Sequence, residues 1–110
     1  MKTVNIYYAA PLFSPHDRAF NLEVAAMLEQ GASVFLPQRD GALLAEMMAA
    51  GVPQIVAERR VFAQDTAAMT KSNLLVAVLN GPGVDDGVAF EIGFMHALGK
   101  PCVGLQTDVR

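Results

Sequence analysis

Short apolar runs alternate with amphipathic segments along this chain. The runs are mostly continuous, without a polar residue at every second position, which is typical of strands covered on both faces. The predicted strands are Val4–Ala10, Ser33–Leu36, Leu74–Leu79 and Cys102–Leu105. Between them, apolar residues recur at helical spacing, and the predicted helices span about His16–Gln30, Ala42–Ala50, Pro53–Thr70 and Asp86–Leu98.

Glycine and proline mark the boundaries of these helices. Gly31, Gly51 and Gly99 follow three of them, and Pro53 lies in the first turn of another. On the first helix, one apolar stripe faces the predicted core, and it consists of Phe20, Val24, Met27 and Leu28.

The order β-α-β-α-α-β-α-β predicts an α/β fold, in which a parallel sheet carries helices on both faces. The expected architecture is a flavodoxin-like or Rossmann-like three-layer sandwich, formed by a single domain over residues 1–110. Ligands of such sheets bind at the carboxyl ends of the strands. The candidate site therefore lies among Ala10–Ser14, Pro37–Gly41 and Asn80–Gly87.

Composition narrows the possible partners. The chain is 53% apolar and 17% charged, as in globular proteins, and its net charge is −3 with scattered basic residues, which argues against a nucleic-acid polymer. No uncharged apolar stretch approaches the roughly 20 residues that span a bilayer, so we expect no membrane partner. The N-terminus lacks a signal-peptide pattern, and Cys102 has no partner for a disulfide. These features predict a cytoplasmic protein with Cys102 buried as a small apolar residue.

The strongest local signal is the glycine-rich turn after the third strand. Asp85 and Asp86 follow it, and either acid is suited to cap the next helix. Pro82 and two acids make the turn a poor phosphate cradle and a better acceptor of sugar hydroxyl groups. One and a half turns into the helix, Glu91 stands in a charge-poor segment, and Gly87 leaves room on the same face.

Other candidate residues have both structural and functional interpretations. Asp65, near the end of the third helix, is either solvated or held by a specific partner, because the helix dipole disfavours it there. Tyr7 and Phe13 flank the end of the first strand and suit either core packing or stacking on a base. His16 and His96 lack partners at metal-ligand spacing, and no Gly-x-Gly-x-x-Gly fingerprint is present. We predict no metal and no cofactor.

Taken together, these segments resemble the nucleoside 2-deoxyribosyltransferase family. The resemblance covers nearly the whole chain, and its most specific part is Asp-x-Gly-x-x-x-Glu-Ile-Gly. The matching segments are Ile6–Phe13, Phe35–Gln38, Asp65, Asp85–Gly93 and Gly99–Pro101.

The resemblance implies a role for each matching residue. Glu91 would be the nucleophile, Tyr7 would orient its carboxylate, and Asp65 would protonate the leaving base or hold the water or base that enters. Asp85 would bind a sugar hydroxyl with Gly87 beside it, Phe13 and Gln38 would lie near the base, and Asp86 would remain a helix cap. The implied partners are a deoxyribonucleoside and a free nucleobase, and the implied assembly is a homodimer or larger homo-oligomer with shared active sites.

Family members continue beyond the segment that matches residues 107–110, so the resemblance implies either a clipped chain or a short variant without the C-terminal tail. Three functions remain open at this point. The first is N-glycosidic cleavage of 2′-deoxyribonucleosides through a covalent Glu91 intermediate, with transfer to a base or to water. The second is hydrolysis of nucleoside 5′-monophosphates, and the third is nucleoside binding without catalysis.

Overall fold

A parallel four-stranded sheet organises the protein. The structure is a computed structural model that describes residues 3–108. The strands are β1 (Asn5–Ala9), β2 (Ser33–Phe35), β3 (Leu74–Val78) and β4 (Cys102–Leu105), in the order β2-β1-β3-β4. The chain leaves β1 toward β2 on one side and later continues from β3 to β4 on the other. The topological switch point therefore lies between β1 and β3, where such sheets bind ligands.

Five helices connect and cover the strands within the described residues. They are α1 (Pro15–Leu28), α2 (Pro37–Asp40), α3 (Leu44–Ala49), α4 (Gln54–Lys71) and α5 (Asp86–Ala97). None of the helices within residues 3–108 combines the length and the apolar character that crossing a bilayer requires.

The two faces of the sheet pack against different helices. On one face Ile6, Tyr8 and Val34 belong to a cluster that contains Ala25 of α1. On the other face Tyr7 and Leu75 belong to a cluster with side chains from α4 and α5, including Met69, Val88 and Met95. Alternation along β1 sends Tyr7 and Tyr8 to opposite faces. The predicted three-layer α/β architecture is thus confirmed.

The segment after β2 contains a helix that the sequence reading missed. The predicted order has two helices between the second and third strands, whereas the structure has three, because Pro37–Asp40 forms the single turn α2. Pro37 supplies a helical φ at the first position, and Asp40 Oδ2 accepts a hydrogen bond from Leu36 N at 2.9 Å. These two local interactions stabilise a turn that is too short to show a periodic pattern.

The prediction that Cys102 is buried was wrong. β4 is an edge strand with no neighbouring strand beyond it within the described residues, and Cys102, Val103 and Gly104 are all exposed. The predicted stripe of α1 was also wrong in one member. Phe20 and its partners pack against the core as expected, but Met27 is 65% exposed.

A buried asparagine joins three segments beside the switch point. Asn21 of α1 is 2% exposed, and its Oδ1 accepts from the Tyr8 hydroxyl at 3.2 Å. Its Nδ2 donates to Pro11 O and to Gln38 Oε1, both at 2.9 Å. The side chain therefore ties the loop after β1 to α2.

We expect Asn21→Leu to lower the free energy of unfolding by about 2 kcal/mol, because it leaves the partners of Asn21 without hydrogen bonds. Tyr8→Phe removes only one of these bonds and should cost about 1 kcal/mol. Urea denaturation followed by circular dichroism measures both values. Equal stability of Asn21→Leu and the parent chain would contradict this account of the network.

Candidate active site

The helix that carries Glu91 begins at a well-defined cap. Asp85 Oδ2 accepts hydrogen bonds from Gly87 N at 3.0 Å and from Val88 N at 3.2 Å. A Cβ at Gly87 would lie 3.2 Å from that same oxygen, so glycine permits the tight cap. Asp86 occupies the first turn and is not the cap, so its predicted role was wrong. The cap fixes the start of α5 and thereby the position of Glu91.

The loop before α5 is fixed by the segment that follows β4. Thr107 N donates to Asn80 Oδ1 at 2.7 Å, and Asn80 Nδ2 donates to Thr107 Oγ1 at the same distance. Gly81, with a φ of 115°, donates its N–H to Asp108 Oδ2 at 2.8 Å. A non-glycine residue rarely adopts that φ. These contacts hold the turn whose last residue is Asp85.

Tyr7 and Glu91 meet between β1 and α5. Tyr7 is fully buried, its ring stacks on Phe35 at a centroid distance of 5.5 Å, and its hydroxyl donates a hydrogen bond to Glu91 Oε2. Burial raises the pKa of Tyr7, and the nearby Glu91 carboxylate raises it further. Tyr7 therefore remains a hydrogen-bond donor throughout the physiological pH range.

Two carboxyl groups share this poorly solvated region. Burial raises the pKa of Glu91 to about 7, the Tyr7 hydrogen bond opposes that shift, and the charges of Asp65 and Asp85 add to it. Burial also raises the pKa of Asp65 to about 6. Asp65 and Glu91 thus both titrate near neutral pH, and such strongly perturbed acids in a cleft are typical of catalytic sites.

A cavity of about 410 Å³ opens beside these residues, within the usual range for small-molecule sites. Of the predicted site residues, Glu91, Asp65, Asp85, Gly87 and Phe13 line it, and Tyr7 reaches it through its bond to Glu91. Phe13 lies at the mouth and is 76% exposed.

Gln38 lies elsewhere and does not line the cavity. Its Oε1 accepts from Asn21 and its Nε2 donates to Arg18 O at 3.0 Å, so both ends of its amide are engaged within the chain. The proximity of Gln38 to a base stays a prediction.

Sequence reasoning missed several lining residues. Glu58, Phe62 and Thr66 of α4 line the cavity together with Asp65, and Phe90 of α5 approaches Phe62 with ring centroids 5.9 Å apart. The spacing of 58, 62, 65 and 66 places these residues on one helix face, and that signal was present in the sequence. The sequence does not show that this face of the helix points toward the cavity.

Comparison with known proteins assigns the family. A sequence model described as nucleoside 2-deoxyribosyltransferase matches residues 6–110. The chain belongs to the nucleoside 2-deoxyribosyltransferase family. The family resemblance drawn from the sequence motifs is thereby confirmed. A search of the curated proteins gives no match.

Solved structures share the fold of this family member. A conserved protein from Enterococcus faecalis V583 is 35% identical with a TM-score of 0.68; the match covers 97% of this chain and 65% of that one, slightly less than two thirds. A 2-deoxyribosyltransferase from Bacillus psychrosaccharolyticus is 22% identical with a TM-score of 0.78, over 97% of this chain and 77% of that one. A CMP N-glycosidase from Clostridium botulinum is 18% identical with a TM-score of 0.60, over 96% and 71%. The homo-oligomer with shared sites, which the family implies, stays a prediction.

The buried carboxyl of Glu91 should reduce stability at alkaline pH. Its pKa is raised from 4.5 to about 7, so the folded state is favoured below pH 4.5 and loses stability as the pH rises through 7. We expect Glu91→Gln to raise the Tm at pH 8 by roughly 5 °C and to leave it unchanged at pH 4.5.

The matched control for this prediction is Glu23→Gln, which removes the same charge from an exposed position on α1. Differential scanning calorimetry at both pH values compares the two variants. A Glu91→Gln protein that melts at or below the Tm of the parent chain at pH 8 would contradict the buried-charge interpretation.

Proposed function

We propose that the chain cleaves the N-glycosidic bond of 2′-deoxyribonucleosides and transfers the deoxyribosyl group, through an ester with Glu91, to another nucleobase or to water. One observation carries the proposal: the Tyr7 hydroxyl donates to the Glu91 carboxyl inside a cavity that Asp65 also lines. A nucleophile oriented by a donor, with an acid partner in the same cavity, is the arrangement that retaining glycosyl transfer requires.

In the first step, a Glu91 carboxylate oxygen bonds to C1′ while the bond from C1′ to the base nitrogen breaks. The electron pair of that bond goes to the base, which takes a proton from Asp65. In the second step, the nitrogen of an incoming base attacks C1′, its proton passes to Asp65, and the Glu91 carboxylate leaves. Water follows the same route and yields free deoxyribose.

This mechanism requires the proton on Asp65 and the charge on Glu91. In the substrate-free site the pKa values lie close together, at about 7 for Glu91 and about 6 for Asp65, so the two acids titrate as a coupled pair. A substrate base that accepts a hydrogen bond from Asp65 favours the protonated form of Asp65 and thereby the charged form of Glu91.

Hydrolysis of nucleoside 5′-monophosphates is the alternative, and the CMP N-glycosidase shows that the same fold accompanies that activity in another protein. The lining of this cavity favours uncharged nucleosides instead. It contains the carboxyl groups of Glu58, Asp65, Asp85 and Glu91, and no Lys, Arg or His of residues 3–108 belongs to it. A phosphate dianion would be repelled there.

Base exchange tests the function directly. The protein is incubated with deoxycytidine and free adenine, and the products are separated by chromatography. We expect new deoxyadenosine from the parent chain, and a loss of at least about 10³-fold in Glu91→Ala, because that change removes the nucleophile.

Glu23→Ala is the matched control and should keep full activity, while circular dichroism verifies that both variants are folded. Free cytosine without deoxyadenosine would assign hydrolysis in place of transfer. Undiminished exchange in Glu91→Ala would overturn the covalent mechanism, and the absence of any product from the parent chain would favour a binding protein.

Substrate charge provides a separate prediction. We expect kcat/KM for deoxyadenosine to exceed that for deoxyadenosine 5′-monophosphate by at least about tenfold, because the phosphate meets an acidic cavity. The ratio should shrink as the salt concentration rises, since ions screen the repulsion. Faster cleavage of the monophosphate would instead support the nucleotide hydrolase.

A further inference from the structure

One face of α4 forms a continuous wall of the cavity. Glu58 and Asp65 are seven residues apart, so they differ by only about 20° around the helix axis and by about 10 Å along it. Val61 and Phe62 lie between them, and all four residues line the cavity. The wall therefore has a carboxyl group at each end and an apolar surface in the middle.

The two ends of this wall differ in depth. Asp65 is half-buried and lies one helical turn before the fully buried Met69. It is at the end of the wall that is nearer to Tyr7 and Glu91. Glu58 is exposed and lies at the outer end, in the part of α4 that precedes Val61. A nucleoside with C1′ at Glu91 and its base nitrogen at Asp65 would extend its base along Val61 and Phe62. The far edge of that base would then point toward Glu58.

The outer carboxyl group is held in place by its neighbour on the helix. Gln54 Nε2 donates to Glu58 Oε1 at 2.9 Å, one turn earlier on α4. A carboxylate has two acceptor oxygens and about four lone-pair sites, so this single bond leaves capacity for a ligand. The contact orients the group without neutralising it, because Gln54 is uncharged.

The side chains of the cavity offer acceptors and almost no donors. Apart from the four carboxyl groups, the polar side chain in the lining is the hydroxyl of Thr66. Its Oγ1 already donates a hydrogen bond to the backbone oxygen of Phe62 at 2.8 Å. A carbonyl group on the far edge of the base would face the negative charge of Glu58. An amino group at the same place would donate a charge-assisted hydrogen bond.

We propose that Glu58 is a specificity-determining residue that selects nucleobases with an exocyclic amino group, such as adenine, by accepting a hydrogen bond from that group. The assignment rests on the nucleoside site proposed above and names the class of base that this site takes. Glu58 acts on binding of the base and takes no part in the transfer of the deoxyribosyl group.

A thermodynamic cycle between the protein and the base tests this assignment. Isothermal titration calorimetry measures the Kd of adenine and of purine, which lacks the amino group, for the parent chain and for Glu58→Met. The methionine keeps the length of the side chain and removes the acceptor. We expect the parent chain to bind adenine at least about tenfold more tightly than purine, and Glu58→Met to bind the two bases equally.

The control is Glu23→Met, which makes the same substitution on the exposed face of α1 and should preserve the tenfold preference. A preference for adenine that survives in Glu58→Met, equal binding by the parent chain, or no binding of adenine would each overturn the assignment. Because binding is measured without turnover, a chain that selects adenine through Glu58 but cleaves no nucleoside would refute the proposed function and leave this assignment standing.

Discussion

The hydrogen bond between the Tyr7 hydroxyl and the Glu91 carboxyl is the contact on which the candidate site depends. It joins the central strand β1 to α5, and its two residues come from opposite ends of the chain. For it to form, the sheet must place Tyr7 on the face that α4 and α5 cover, and the Asp85 cap must start α5 at the right residue. This contact therefore depends on the whole fold, and the candidate site in turn depends on this contact.

Burial of this contact has a cost in stability and a benefit in reactivity. Water would solvate the carboxyl groups of Glu91 and Asp65 and keep their pKa values ordinary, whereas desolvation brings both values close to neutrality. Two acids that hold one proton between them supply a nucleophile and a proton donor at the same pH. The protein gives up stability at this position and gains a reactive pair.

The sequence predicts the framework well because the framework depends on local patterns. Continuous apolar runs identify β1 and β3, Gly51 and Gly99 adopt positive φ after their helices, and the acid-glycine-glutamate spacing singles out Glu91. The predictions fail for residues whose exposure or contacts depend on packing between distant elements.

Three residues illustrate those failures. Cys102 is exposed because of its place at the edge of the sheet, and Gln38 is engaged by Asn21 of α1, a contact that no spacing indicates. Glu58 has the helical phase of Asp65, but only the tertiary structure shows that this face of α4 borders the cavity. In each case the missing information is the orientation of one element against another.

The central claim is that Glu91 and Asp65 form a desolvated pair of acids and that the hydrogen bond from Tyr7 favours the charged form of Glu91. Carbon-13 NMR of the side-chain carboxyl groups tests this claim most directly. Titration between pH 3 and pH 9 should show both carboxyl carbons changing well above the ordinary range for acids, with apparent pKa values between about 6 and about 7. In Tyr7→Phe the pKa of Glu91 should rise further, because the bond that favours its charged form is gone. Titration of both groups near pH 4, unchanged by loss of the Tyr7 hydroxyl, would contradict the account.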